Sequence, residues 1–169
     1  MGEGRAIFSV LAVNSPGVLL RVSGLFYRRG FNIDSIVACK TENPHFSRLT
    51  IVASGDEATF TQLIRQLLKL EDIKKVKVLT VDESSSSEML LVKVCAEGSM
   101  RNAVLKTIQA YGARVLDIGD STITIELTGQ TEEIDEFLEN IEGFGILEMA
   151  RTGITAIQRG DMTIHDDDK

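Results

Sequence analysis

The sequence predicts an α+β protein built from two βαββαβ sandwiches in tandem. Three observations carry this expectation. Each half of the 169 residues runs strand, helix, strand, strand, helix, strand. The strand-like runs alternate in polarity, as strands with one buried face do. Asp82-Glu-Ser-Ser-Ser-Ser-Glu88 separates the halves; four serines between acids have nothing to bury and read as a flexible linker. The order within each half is that of a split βαβ, ferredoxin-like unit, with two helices on one face of an antiparallel sheet. The expected division is residues 5–81, a linker at 82–88, a second domain at 89–157, and a disordered polar tail at 158–169.

Each element has its own reason. Ile7–Val13 is an apolar run and reads as the opening strand. Val18, Val22, Leu25 and Phe26 fall on one face of a helix over Pro16–Arg29, with Ser15 as its cap, Pro16 in its first turn and Gly30 as a left-handed stop. Phe31–Lys40 reads as a second strand, followed by turn chemistry at Thr41–His45. Ser47–Ser54 is a third strand, with Leu49, Ile51 and Ala53 on one face and Arg48, Thr50 and Val52 on the other. Asp56 caps a second helix whose apolar stripe is Phe60, Leu63, Ile64, Leu67 and Leu68. Ile73–Val81 is a fourth strand, with Val76 and Val78 inward and Lys75 and Lys77 outward.

The second half repeats this order. Met89–Ala96 is a strand, and Ser99 caps a helix ending at Gly112. Ala113–Ile118 and Thr122–Leu127 form a hairpin across Gly119-Asp120. Thr131 caps a helix ending at Gly143, and Gly145–Ile157 is an extended segment broken near Gly153. In the first half, Ile7, Leu11, Ile36, Val52 and Leu79 are expected on the sheet face away from the helices. They are too apolar to stay wet, and a partner subunit is the simplest cover.

Composition excludes several classes. An apolar fraction of 43% is ordinary for a globular protein, and no apolar run approaches the ~20 residues of a membrane span. The start, Met1-Gly-Glu-Gly-Arg5, does not read as a signal peptide. Cys39 and Cys95 read as buried thiols of a reducing, cytoplasmic compartment. With two histidines and no Cys-x-x-Cys, no metal-ligand cluster is visible. Net charge is −7, split unevenly: residues 1–81 carry 11 Lys+Arg against 7 Asp+Glu, net +4, and residues 82–169 carry 7 against 18, net −11. The acidic total argues against nucleic acid as the main partner. No Walker loop, Gly-x-Gly-x-x-Gly or His-Glu-x-x-His occurs, and no nucleophile–base pair stands out, so no catalytic residue is expected. His45 reads as a solvated loop residue, whereas Asp34 stands at a strand start and is a functional candidate.

Asn14-Ser-Pro-Gly-Val-Leu19 is the segment with chemical promise. By spacing alone it is also an ordinary strand-to-helix turn. Gly17, however, leaves backbone N–H groups at a helix start with no side chain between them and a ligand, an arrangement that attracts a carboxylate.

Together with Arg21-Val-Ser-Gly-Leu-Phe26, Arg29-Gly-Phe-Asn-Ile-Asp-Ser-Ile36 and Ser47-Arg-Leu-Thr-Ile51, this segment resembles the small regulatory subunit of acetohydroxyacid (acetolactate) synthase. Met89-Leu-Leu-Val-Lys93, Ala150-Arg-Thr-Gly153 and Arg159-Gly-Asp161 extend the resemblance across nearly the whole chain. The resemblance implies an N-terminal ACT domain and a C-terminal domain of similar topology. It implies a homodimer that does no chemistry itself. Such a dimer activates a catalytic large subunit carrying thiamine diphosphate, magnesium and FAD, and confers feedback inhibition by valine or a related branched-chain amino acid. It also implies effector sites between two ACT domains, with Asn14, Gly17, Val18 and Leu19 from one chain and Asn32 and Ile33 from the other. Leu20 stands where the family can carry a small polar residue. The residue chemistry agrees: N–H groups at Gly17 to Leu19 suit a carboxylate, Asn14 and Asn32 offer amide oxygens to an ammonium, and Val18 and Ile33 can size an apolar side chain. Two other readings stay open. One is a stand-alone amino-acid-binding module acting on another protein. The other is a small enzyme of the same topology, such as an acyl phosphate hydrolase, which would need an arginine-bearing phosphate loop that Asn14–Leu19 does not supply.

Overall fold

The computed structural model describes residues 4–80 and 82–166. Met1–Glu3 of the expected start, Val81 at the expected end of the first domain and tail positions 167–169 lie outside them. The element order is β1 (Gly4–Val13), α1 (Val18–Arg29), β2 (Ser35–Lys40), β3 (Phe46–Gly55), α2 (Glu57–Leu67), β4 (Ile73–Leu79), β5 (Ser84–Cys95), α3 (Met100–Ala110), β6 (Arg114–Ile118), β7 (Thr122–Gly129), α4 (Thr131–Glu142), β8 (Ile146–Arg151) and β9 (Thr155–Gln158). Two units emerge: one runs to Ser86 and resumes at Ile154, and the other is Ser87–Gly153. The ferredoxin-like βαββαβ order is present in both, as expected. Among the described residues no helix is long and apolar enough to cross a membrane.

In the first unit the strands lie in the order β2-β3-β1-β4. Pairs Phe8–Ile51 and Val10–Leu49 point at α1 and α2, where they pack with Val22, Phe26, Leu63 and Leu67. The alternate residues, Ile7 opposite Val52 and Leu11 opposite Arg48, take the other face. Ile36 corrects the expectation. It lies on the helix side, because the β2–β3 register sets it directly opposite Ile51, and opposed residues share a face. The cover over the other face is also partly the chain's own. Ile7, Val52 and Leu79 form a buried cluster with Ile154 and Ala156.

That cluster explains the changed division. The serines expected as a free linker are the first residues of β5, and Ser84 is buried. Ile154–Ile157, expected in the second domain, belong to the first unit, and β9 pairs with β5. Just beyond β9 the Arg159 N–H donates to the Glu83 carbonyl at 2.8 Å. Of the residues expected as a disordered tail, Gln158 ends β9 and 159–166 form turns and bends in which Ile164 is buried. Cys39, expected to be buried, is exposed because it lies on edge strand β2; Cys95 is half-buried.

In the second unit the strand order is β6-β7-β5-β8. Val92, Val94, Ile123 and Ile125 pack with Val104, Ile108, Ile134, Phe137 and Ile141. The β6–β7 hairpin turns across Gly119-Asp120 as expected, with the Gly119 N–H donating to the Thr122 carbonyl at 2.9 Å. Thr131 is the first residue of α4 rather than its cap; Gln130 is the cap, and its N–H donates to Glu133 Oε2 at 2.9 Å. Ser99 makes no side-chain cap bond at the start of α3.

Candidate functional site

The Asn14–Leu19 turn follows β1 and leads into α1. Its cap differs from expectation. Gly17, at φ 84°, is the N-cap and Val18 the first helical residue, so Pro16 lies before the helix. The Ser15 hydroxyl serves Asp72 instead, donating to Oδ1 at 3.2 Å. Asp72 also accepts from Arg21 Nε at 2.6 Å, and so ties the turn to the segment before β4. The first intrahelical bond is Arg21 N–H to the Gly17 carbonyl at 2.9 Å. Among the described residues, no bond occupies the N–H groups of Gly17, Leu19 and Leu20. They are the orphan donors that a helix start offers to an anion.

Beside them is a cavity of about 140 Å³, lined by Asn14, Ser15, Val18, Leu19, Ala38 and Ser47, with Val13 and Leu49 behind. Asn14 is fixed there from both ends of its amide. Its Nδ2 donates to the Pro44 carbonyl at 3.0 Å, and its Oδ1 accepts from the Ser47 hydroxyl at 3.1 Å. The oxygen keeps a second acceptor position. Val18 is buried, whereas Leu19 stays half in solvent. Sequence reasoning missed Ala38 and Ser47. Their only signal was register, which puts the end of β2 and the start of β3 beside the end of β1.

Asn32 and Ile33 lie elsewhere. They follow Gly30 at the far end of α1, before β2 begins. Ile33 packs on the first core. The Asn32 Nδ2 donates to Asp34 Oδ1 at 3.2 Å, leaving its amide oxygen as an acceptor. Asp34, the other functional candidate, pins this loop: its Oδ2 accepts from the Ser54 hydroxyl at 2.8 Å, and its N–H donates to the Val52 carbonyl at 2.9 Å. Within one chain the two groups of expected residues are thus separated by the length of β2, about 20 Å for six residues. The structure brings Asn14, Val18 and Leu19 to one cavity, with Gly17 closing its turn. It does not bring Asn32 and Ile33 to them.

The second unit holds an ion cluster around a buried carboxylate, Glu88. Glu88 Oε2 accepts from Arg151 Nε at 2.5 Å, and Arg151 Nη1 reaches Asp135 Oδ1 at 2.6 Å. The Thr131 hydroxyl donates to the other Glu88 oxygen. Burial works against the Arg151 charge, but the hydrogen bonds to Glu88 and Asp135 outweigh it and hold its pKa above the ordinary arginine value. Thr152 clamps the opposite strand, with its N–H on the Met89 carbonyl and its hydroxyl accepting from the Met89 N–H, both at 3.0 Å. Ala150-Arg-Thr-Gly153 is thereby explained as a strand-end fastening. Among the described residues no group of three or more His, Cys, Asp or Glu side chains stands together as a metal site.

The fold defines a protein with an ACT-like domain followed by a second unit of the same topology. A family model described as the AHAS small subunit-like ACT domain matches residues 8–75, and one described as the small subunit of acetolactate synthase matches residues 87–160. The probable acetolactate synthase small subunit of Methanothermobacter thermautotrophicus is 43% identical over 159 residues, covering 94% of this chain and 95% of that protein. The acetolactate synthase isozyme 3 small subunit of Escherichia coli is 38% identical, covering 93% and 97%. The crystal structure of the acetolactate synthase small subunit from Thermotoga maritima superposes with a TM-score of 0.88 at 32% identity, over 94% of this chain and 99% of that one. The chain belongs to the acetolactate synthase small subunit family.

Proposed function

We propose that this chain is a regulatory subunit that activates a thiamine-dependent catalytic subunit and makes it sensitive to valine. In this reading thiamine diphosphate, magnesium and FAD reside on the catalytic partner, and this chain contributes the effector sites. The observation that carries it is the split site. A 140 Å³ cavity is well below the ~300–1,000 Å³ of a complete small-molecule pocket. The cavity lies at the Lys40 end of β2 and Asn32–Ile33 at its Ser35 end. Strand β2 is an edge. Antiparallel pairing of two β2 edges about a two-fold axis would set the cavity of one protomer against Asn32 and Ile33 of the other, twice per dimer. The α1 surface supports such a contact: Leu20 and Tyr27 are strongly exposed, with Ser23 and Gly24 between them on the same face.

In the completed site the open N–H groups of Gly17 and Leu19 receive the valine carboxylate, Asn14 and the partner's Asn32 receive its ammonium, and Val18 with the partner's Ile33 encloses the side chain. Valine bridging two protomers then biases the dimer. Coupling of this kind is typically ~1–3 kcal/mol, and for binding it is reciprocal.

The test has two parts. The cognate large subunit is assayed for acetolactate alone, with this chain, and with this chain plus valine. Activation on mixing and inhibition by valine are expected; acetolactate formed by this chain alone would overturn the reading, and no change on mixing would favour a stand-alone binding module. In calorimetry, Asn14→Ala and Asn32→Ala should each weaken valine binding roughly 10- to 100-fold, the cost of a lost charge-assisted hydrogen bond. Mixing the two variants should restore one intact site per heterodimer. Failure of the mixture to recover binding would place both residues in one chain's site, or outside it.

A further inference from the structure

A larger cavity, of about 510 Å³, lies on the sheet face away from the helices, within the first unit. Val37, Arg48 and Thr50 form its floor, and Ile157, Met162 and Ile164 of the C-terminal segment form its roof. The roof is fastened to the sheet. Arg48 Nη2 donates to the Ala156 carbonyl at 3.0 Å, Lys77 Nζ reaches Gln158 Oε1 at 3.4 Å, and the Lys75 ammonium donates to the His165 carbonyl. Cavity volume and apolar lining are those of a small-molecule site.

One group in it is incompletely partnered. Arg48 is about half buried, and burial pulls its pKa below the ordinary arginine value, against a smaller opposing pull from the Glu42 carboxylate. Of the five N–H donors a guanidinium carries, only the one on Ala156 has an acceptor among the described residues, and Nε is sealed from solvent without one. No carboxylate stands within ion-pair distance of it there. Glu42, the acid that lines the cavity, is mostly in solvent and lies 3.4 Å from His165. A partly buried cation whose opposing charge, Glu42, stays mostly in solvent and makes no direct ion pair with it is costly, and an anion entering the cavity would relieve that cost. Lys40 on the same wall adds positive charge.

We propose that this cavity binds a small monocarboxylate with an apolar body, its carboxylate on Arg48 and its tail against Met162 and Ile164. A zwitterionic amino acid fits poorly, since its ammonium would share the cavity with Arg48 and meet only Glu42 at the edge. The site is distinct from the Asn14–Leu19 cavity. The two lie on opposite faces of β2, with Ala38 lining the smaller and Val37 and Cys39 the larger.

The test titrates the full-length protein with hexanoate and, as the charge-reversed control, hexylamine, followed by calorimetry. Hexanoate should bind saturably and hexylamine should not. Arg48→Gln should weaken hexanoate roughly 10- to 100-fold. Met162→Trp, which fills the cavity and leaves the Arg48–Ala156 bond in place, should weaken it as much, so the test survives if loss of Arg48 loosens the roof. Asn14→Ala should leave hexanoate affinity unchanged. No saturable binding to the unaltered protein, equal binding of hexylamine, or wild-type affinity in Met162→Trp would each overturn the proposal. Loss of binding in Asn14→Ala but not in Arg48→Gln would assign hexanoate to the other cavity and overturn it as well.

Discussion

Gly17 shows how one residue sets a site. Its φ of 84° lies where an L side chain costs about 1–2 kcal/mol. A Cβ there would also approach Arg21 Nη1 to 3.0 Å. A carboxylate placed at this position would therefore strain the turn and compete with Asp72 for Arg21. Asn14, which has no positive φ, is the better probe of the proposed effector site. Arg151 is a residue of the opposite kind, important to stability. The Glu88 side chain that it neutralises is only 3% exposed. Arg151→Ala should therefore leave a buried carboxylate uncompensated and lower unfolding free energy by about 3 kcal/mol. This is the low end for a buried pair, because Arg151 itself keeps a quarter of its surface in water. Urea unfolding of the variant checks this; a loss within error of zero would show the cluster to be dispensable.

At the scale of elements, helix starts behave differently according to what caps them. The first helix leaves donors open beside a cavity, whereas the second closes one of its own with Asp56, which accepts from the Thr59 N–H at 2.7 Å. Hydrogen bonding to Thr59, through its side chain and then its backbone, holds the Asp56 pKa below the ordinary carboxylate value. A depressed acid pKa contributes stability above the unfolded value near ~3.9, and that contribution is lost as pH falls through the folded value. Asp56→Ala should accordingly lower Tm at neutral pH, and the gap between variant and wild type should close on acidification. A gap that persists at pH ~2 would mean the aspartate acts by something other than its charge. The edge strand β2 is the other decisive element. Its length separates the two groups of residues proposed for the effector site, and its two faces front two different cavities.

For the whole molecule, the return of the chain to the first sheet matters most. Ile154 and Ala156 fill the cluster over Ile7, Val52 and Leu79 that would otherwise stay wet. Ile154→Ala should cost about 2–4 kcal/mol, the range for truncating a buried aliphatic side chain, with the change falling on the transition of the first unit. Denaturant melts followed by hydrogen exchange at β1 and β3 would locate it. Unaltered protection there would remove the C-terminal segment from the first core.

The sequence by itself determined the repeated βαββαβ order, the helix stripes, the Gly30 and Asp56 caps, the hairpin at Gly119-Asp120 and the Asn14–Leu19 turn. All of these are local: periodicity, capping chemistry and turn residues act over a few positions. Only the tertiary structure decided where Ser84 and Ile154–Ile164 belong. A serine in a polar run carries no local sign that it will be buried, and a short apolar stretch near the C-terminus does not announce which sheet it will cover. The residues proposed for the effector site were legible as two separate motifs. Their separation along β2 and the partial burial of Arg48 under the C-terminal segment were not, because they arise from strand register and from a return of the chain across more than one hundred residues.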